Sequence, residues 1–144
     1  MYRITKEFKF SMGHALYHYS GACHNVHGHN YKLEVEVESE KLDDNGFVID
    51  FSDLKNLVNR IIDKYFDHKF LYFNLDDRYK LFQQLDGGIG VDYEPTAENL
   101  IRHIATLIEE KNLISMFGIH VSKLCLWETD TSYTTLYHLD TCEF

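Results

Sequence analysis

The chain predicts an α+β fold: a four-stranded antiparallel sheet with two helices on one face, in the order ββααββ. Three observations carry this. Residues 31–38 alternate strictly between apolar and charged side chains, residues 54–65 and 100–108 carry apolar stripes at helical spacing, and two β-rich segments close the chain around a tight polar turn.

In residues 31–38, Tyr31, Leu33, Val35 and Val37 take one parity and Lys32, Glu34, Glu36 and Glu38 the other, which is a half-buried strand. Upstream, Ile4, Phe8, Phe10 and Met12 share a parity, so the chain opens as two strands joined by a histidine-rich connection. Asp43, Asp44, Asn45 and Gly46 then mark a turn. Ser52 reads as the N-cap of a helix whose apolar face is Leu54, Leu57, Val58, Ile61, Ile62 and Tyr65. A second helix starts after Pro95 with Thr96 as cap, carries Leu100, Ile101, Ile104, Leu107 and Ile108, and closes at Lys111 and Asn112. Between the helices, residues 74–94 contain Gly87, Gly88 and Gly90 without a clear period and read as a long loop, a feature that in compact domains is usually functional or mobile. Residues 119–129 and 132–139 form a hairpin around Asp130 and Thr131, with Cys125 expected in the core on the parity of Val121 and Trp127.

At 144 residues the chain reads as a single domain, 1–144, with enough length to bury a core without disulfides. Cys23, Cys125 and Cys142 form no paired framework, which points to a reducing, cytoplasmic compartment. The first residues lack the apolar segment of a signal peptide, and no apolar run approaches membrane-spanning length. A net charge of −9 argues against nucleic acid held by its phosphates and against a membrane surface. Histidine is over-represented: of 9, five (His14, His18, His24, His27 and His29) fall close together near the start.

Extending the alternation back from Tyr31 places His27 and His29 on one face, and His14 has the parity of Phe10 and Met12. If the two strands pair, three imidazoles converge at one end of one sheet face. Three neutral nitrogens at about 2.0 to 2.1 Å from one ion with a fourth position open is a catalytic zinc arrangement. The alternative is a set of surface histidines in a solvated loop. His18 and His24 lack the matching parity and read as loop residues. Cys23 is near enough to be either a fourth ligand that closes a structural site or a thiolate base beside the metal, and spacing leaves both open. Asp67 and His68 read as a carboxylate–imidazole proton shuttle or as a complement to the helix end. Glu128 ends an apolar strand, where a planar acceptor pair suits a guanidine-like N–H/NH₂ edge; otherwise it is an exposed shoulder of the hairpin.

Six motifs in order, Phe10-Ser11-Met12-Gly13-His14, Cys23-His24-Asn25-Val26-His27-Gly28-His29, Gly46-Phe47-Val48-Ile49-Asp50-Phe51-Ser52-Asp53-Leu54-Lys55, Asp67-His68, Pro95-Thr96-Ala97-Glu98-Asn99-Leu100 and Glu128-Thr129, resemble the 6-pyruvoyl-tetrahydropterin synthase and 6-carboxy-tetrahydropterin synthase (QueD) family over nearly the whole chain. The resemblance implies a tunnelling fold (T-fold) whose sheets join into a barrel in a homohexamer of two trimers. It implies Zn²⁺ on His14, His27 and His29, and Cys23 as the proton-abstracting base. Asp67 and His68 would assist from a neighbouring subunit, and Glu128 would anchor the N3–H and 2-amino group of a pterin triphosphate substrate.

The short spacing between Cys23 and His27, and Thr131-Ser132-Tyr133, resemble the bacterial branch. That branch implies a zinc-dependent lyase of queuosine biosynthesis converting 7,8-dihydroneopterin triphosphate and water to 6-carboxy-5,6,7,8-tetrahydropterin, acetaldehyde and triphosphate. A 6-pyruvoyl-tetrahydropterin synthase, which stops at triphosphate elimination, and a non-catalytic zinc-binding protein are the rival readings. The chain departs from the family pattern at Phe66, at Tyr72 and Phe73 before Asn74, and in the length of residues 75–94.

Overall fold

The computed structural model describes residues 1–110, 114 and 117–137. Strands β1 (Tyr2–Ala15) and β2 (His27–Ser39) are joined by a loop with one 3-10 turn (Ala22–His24). Then come α1 (Phe51–Tyr65), β3 (Phe70–Phe73), α2 (Tyr79–Phe82), β4 (Gly88–Val91), α3 (Ala97–Glu110), β5 (His120–Thr129) and β6 (Ser132–Tyr137). The fold class is α+β as expected, and the sheet has six strands in the order β4-β3-β1-β2-β5-β6.

The expected four antiparallel strands form its centre and one side: β1 pairs with β2, β2 with β5 and β5 with β6, all antiparallel. The two additional strands lie inside and beside the segment that lacked a period. β3 runs parallel to β1 and β4 parallel to β3. Four residues are too few to establish an alternation, and strands of this kind carry no period-2 signature. The glycines that suggested a loop serve close packing instead: a Cβ on Gly88 would sit 2.5 Å from the Phe82 carbonyl oxygen. Residues 74–94 are therefore built of α2 and β4, with Phe82 packed on Tyr72 and Ala15 in a small satellite core.

The main core lies between one sheet face and the two long helices. Phe8, Phe10 and Met12 of β1, with Tyr31, Leu33, Val35 and Val37 of β2, meet Leu54, Val58, Ile61 and Ile62 of α1 and Leu100, Ile101 and Ile104 of α3. Each such side chain contributes roughly 1.5 to 3 kcal/mol by leaving water, so truncating fully buried Ile104 to Ala is the kind of change that costs about 2 to 5 kcal/mol.

Two local expectations shift. The α1 cap is Asp50, in extended conformation, whose carboxylate accepts from Ser52 N; Ser52 itself lies within the first turn. Cys125 is buried but stands opposite Glu34, on the face away from the helices. A bulge at Ser122 breaks the parity between Val121, which enters the main core, and Cys125, which does not. The Thr96 cap is present as a long bond from Asn99 N, at 3.4 Å. The expected helix end at Lys111 and Asn112, the last residues of the hairpin, His138 and Cys142 lie outside the described residues. No helix of the described residues is long and apolar enough to cross a membrane.

Candidate metal centre

The β1–β2 register determines the site. His14 stands opposite His27, Met12 opposite His29 and Phe10 opposite Tyr31. Directly opposed residues of an antiparallel pair share a face, so the three imidazoles gather at one end of the helix-covered side. Between two of them, Gly28 allows close strand approach: a Cβ there would lie 3.0 Å from the Met12 carbonyl oxygen. One nitrogen from each of His14, His27 and His29 lies within 4.8 Å of the other two, a group that could hold a metal ion.

The hydrogen bonds around the rings fit that role. His14 Nδ1 donates to the Pro95 carbonyl at 2.7 Å, and His27 Nδ1 donates to the Asn25 carbonyl at 2.7 Å. A carbonyl can only accept, so both protons sit on Nδ1 and both Nε2 atoms present lone pairs. Those Nε2 atoms face each other at 2.9 Å, and His29 Nε2 is buried without a hydrogen-bond partner. Ring nitrogens converging in one pocket, with the His14 and His27 rings oriented by outer carbonyls, are what a cation would satisfy. Burial pushes the His14 pKa down to about 4, the Pro95 bond opposing and the neighbouring His27 and His29 adding to the shift. The ring is thus held neutral, the protonation state a ligand needs.

Glu128 closes one side. The β5–β6 register passes from Trp127↔Tyr133 to Thr129↔Ser132, leaving Glu128 as the extra residue of a bulge. Its Oε1 lies 3.5 Å from His29 Nε2, and its side chain is one quarter exposed. It is therefore not a solvated hairpin shoulder. Burial first lowers the His29 pKa, Glu128 pulls it back up, and His27 lowers it again, with a net depression.

Cys23 is a half-buried free thiol in the 3-10 turn of the β1–β2 loop. It is not part of the group of three converging nitrogens. Its charge and that of Glu128 bear on Tyr31, whose phenol is pushed up chiefly by burial and then by these two groups. Asp67 and His68 are paired, with His68 Nδ1 at 3.0 Å from Asp67 Oδ2, and Asp67 Oδ1 accepts from Ser11 N. They line a cleft of about 770 Å³ with Lys9, Asn30, Lys32 and Trp127, on the sheet face away from the helices. Within one chain, then, the fold brings together His14, His27, His29 and Glu128 and leaves Asp67 and His68 on the other side.

The sequence profile of the 6-pyruvoyl tetrahydropterin synthase family matches residues 3–138. The chain belongs to the 6-pyruvoyl tetrahydropterin synthase family. It is 38% identical over 141 residues to the 6-carboxy-5,6,7,8-tetrahydropterin synthase of Haemophilus influenzae, covering 92% of this chain and 96% of the relative. It is 33% identical over 138 residues to the enzyme of the same name from Rickettsia conorii, covering 92% and 98%. Among solved structures, the fold resembles an uncharacterised protein of Wolinella succinogenes, with TM-score 0.79, 24% identity and coverage of 94% and 97%. It also resembles the 6-pyruvoyl tetrahydropterin synthase of Caenorhabditis elegans, with TM-score 0.69, 23% identity and 95% of each chain.

This member of the 6-pyruvoyl tetrahydropterin synthase family has further groups at the site that sequence reasoning missed. Tyr31 stacks on Phe10 at 5.2 Å, with its hydroxyl 3.5 Å from His14 Nδ1. Its shared parity with His27 and His29 was a signal available in the sequence. The backbone carbonyls of Pro95 and Asn25 left no such signal, because every residue has a carbonyl. His18 and His24, read as loop residues, are in the loop and tie it down: His18 Nδ1 donates to Glu94 and His24 Nδ1 to the Leu16 and Tyr17 carbonyls.

Proposed function

We propose that this chain is a zinc-dependent 6-carboxy-5,6,7,8-tetrahydropterin synthase, a lyase of queuosine biosynthesis that converts 7,8-dihydroneopterin triphosphate and water to 6-carboxy-5,6,7,8-tetrahydropterin, acetaldehyde and triphosphate. The observation that carries the reading is the convergence of three imidazoles, two with their Nδ1 protons directed to carbonyls and the third with a buried Nε2 that makes no hydrogen bond. It occurs in a chain 38% identical to a relative of that name.

His14, His27 and His29 would hold the zinc. When bound, it supplies Lewis-acid polarisation of the substrate's side-chain oxygens. Cys23 takes the proton from the carbon beside those oxygens, a task that requires a thiolate close to the ring group but not bound within it. Glu128 accepts from the pterin N3–H and 2-amino group through its two oxygens, a charge-assisted bidentate contact. Its place at a bulge beside His29 would set the pterin next to the metal. Tyr31 stays protonated and packs beneath the imidazoles, so it can donate but does not compete as an anion.

Asp67 orients His68, whose side chain is 82% exposed in the single chain. That exposure supports a proton relay delivered to the site of a neighbouring subunit in a homohexamer.

The test is product analysis: the zinc-loaded protein is incubated with 7,8-dihydroneopterin triphosphate and the products are identified by mass. A 6-carboxy product with acetaldehyde is expected. A pyruvoyl product without acetaldehyde would assign the chain to 6-pyruvoyl-tetrahydropterin synthase, and no turnover with zinc retained would favour a non-catalytic zinc protein.

A further inference from the structure

We propose that Glu94 and Arg78 are positioning residues that hold the Cys23 loop at a set distance from the three imidazoles. The inference rests on the reading of Cys23 as the base and gives the long segment between α1 and α3 a role in the reaction.

The loop of residues 16–26 has no strand neighbour along most of its length, so its backbone groups must find other partners. One carboxylate takes several of them. Glu94 Oε2 accepts from Tyr17 N at 3.0 Å, and Glu94 Oε1 accepts from His18 N at 2.8 Å and His18 Nδ1 at 2.7 Å. Inside the loop, Leu16 N donates to the Cys23 carbonyl at 3.0 Å, which closes it on the thiol-bearing residue.

On the far side of Cys23, Arg78 Nη1 donates to the His24 carbonyl at 2.7 Å. That guanidinium is itself immobilised. Asp76, fully buried, accepts from Arg78 Nε at 2.9 Å, from Nη2 at 2.7 Å and from the Arg78 backbone N–H at 2.8 Å. Its planar fork also lies over the Phe82 ring, 5.1 Å from the centroid. A lysine could not make the bidentate contact and reach the carbonyl at once.

The clasp is joined directly to the metal group. Pro95 follows Glu94 in the chain, and its carbonyl accepts from His14 Nδ1 at 2.7 Å. Two consecutive residues thus hold, with a side chain and a carbonyl respectively, the loop that carries the thiol and one of the three rings. Exposed loop amides can be left to water; gathering them on one carboxylate, with the ion pair of Arg78 to fully buried Asp76 anchoring the other end, restricts the loop to one conformation. A base is effective only within a narrow range of positions relative to the proton it removes, and this arrangement supplies that restriction.

The experiment compares the zinc-loaded wild type with Cys23→Ala, Glu94→Ala, Glu94→Gln, Arg78→Ala and Arg78→Lys. Zinc content, kcat and KM for 7,8-dihydroneopterin triphosphate, and the rate of Cys23 alkylation by iodoacetamide, read by peptide mass, are measured for each. Glu94→Ala and Arg78→Ala are expected to keep zinc and a near-normal KM, to lose roughly 10- to 100-fold in kcat and to change the alkylation rate several-fold. Glu94→Gln, which retains one acceptor oxygen, recovers part of the loss; Arg78→Lys does not. Should Glu94→Ala fail to fold, Glu94→Gln and Arg78→Lys carry the same readouts. Unchanged kcat and alkylation rate in the Glu94 and Arg78 variants, with Cys23→Ala inactive, overturns the clasp alone. Wild-type turnover by Cys23→Ala removes the base assignment and the catalytic purpose of the clasp with it.

Discussion

His14 and His27 face each other through their Nε2 atoms at 2.9 Å while each Nδ1 donates to a backbone carbonyl. Two lone pairs directed at one another in a pocket where His14 is only 1% exposed are unfavourable without a cation between them. The arrangement therefore predicts metal stoichiometry. Replacing His14, His27 or His29 with Ala is expected to remove bound zinc, read by elemental analysis, and to abolish turnover. Chelation of the wild type should do the same and be reversed by added zinc. Full zinc occupancy in any of the three variants would contradict the assignment.

Glu128→Gln exchanges one acceptor oxygen for a donor and removes the charge. The pterin edge then loses a charge-assisted contact of about 1.5 to 3 kcal/mol, which corresponds to roughly 10- to 150-fold in kcat/KM. Zinc content should be unchanged, because Glu128 lies 3.5 Å from His29 Nε2 beside the ring group and outside it.

Cys23→Ser keeps the size of the side chain and replaces the thiol by a hydroxyl that stays protonated. A base would be lost, with kcat reduced roughly 10²- to 10⁴-fold and zinc retained. Loss of zinc in the serine variant would instead mark Cys23 as a ligand.

Asp76 gives a pH prediction. Burial alone would raise its carboxyl, but the bonds from the Arg78 guanidinium and backbone N–H outweigh this and hold it below the ordinary value of 3.8. A carboxyl depressed in the folded state stabilises the fold above its unfolded value, and that contribution disappears as pH falls from 3.8 through the folded value. Urea unfolding of wild type and Asp76→Asn should therefore differ by about 3 to 5 kcal/mol near neutral pH, with the gap closing below about pH 4. A gap that persists in strong acid would show that the pair's charge is not what matters.

Asp67 and His68 line the cleft on the open sheet face, so their contribution to a site is predicted to cross between chains. Co-expressing Cys23→Ala with His68→Ala, each inactive alone, should restore part of the activity in mixed assemblies. No recovery in verified mixed assemblies would place both residues in the site of their own chain.

Much of this site was legible because parity is a local property. The alternation of Tyr31, Leu33, Val35 and Val37 extended correctly to His27 and His29, and the register of β1 on β2 put His14 opposite His27. Parity failed where the backbone departs from regularity. The bulge at Ser122 separated Cys125 from Val121, and the bulge at Glu128 turned a residue that read equally well as an exposed shoulder toward His29. The strands β3 and β4 were missed because four residues each cannot display a period.

By itself, then, the sequence determined the α+β class, the two amphipathic helices and the convergence of three imidazoles, all of which follow from periods of two and 3.6 residues imposed by the backbone. Tertiary structure alone decided which ring nitrogens carry the protons, that Asp67 and His68 stand apart from the imidazoles, and that Arg78 and Glu94 clasp the Cys23 loop. Those outcomes rest on bonds such as His14 to Pro95, Tyr17 to Glu94 and Arg78 to His24, whose partners lie 81, 77 and 54 positions apart. No local period encodes contacts at that range; they exist only once the core has folded and brought the segments back together.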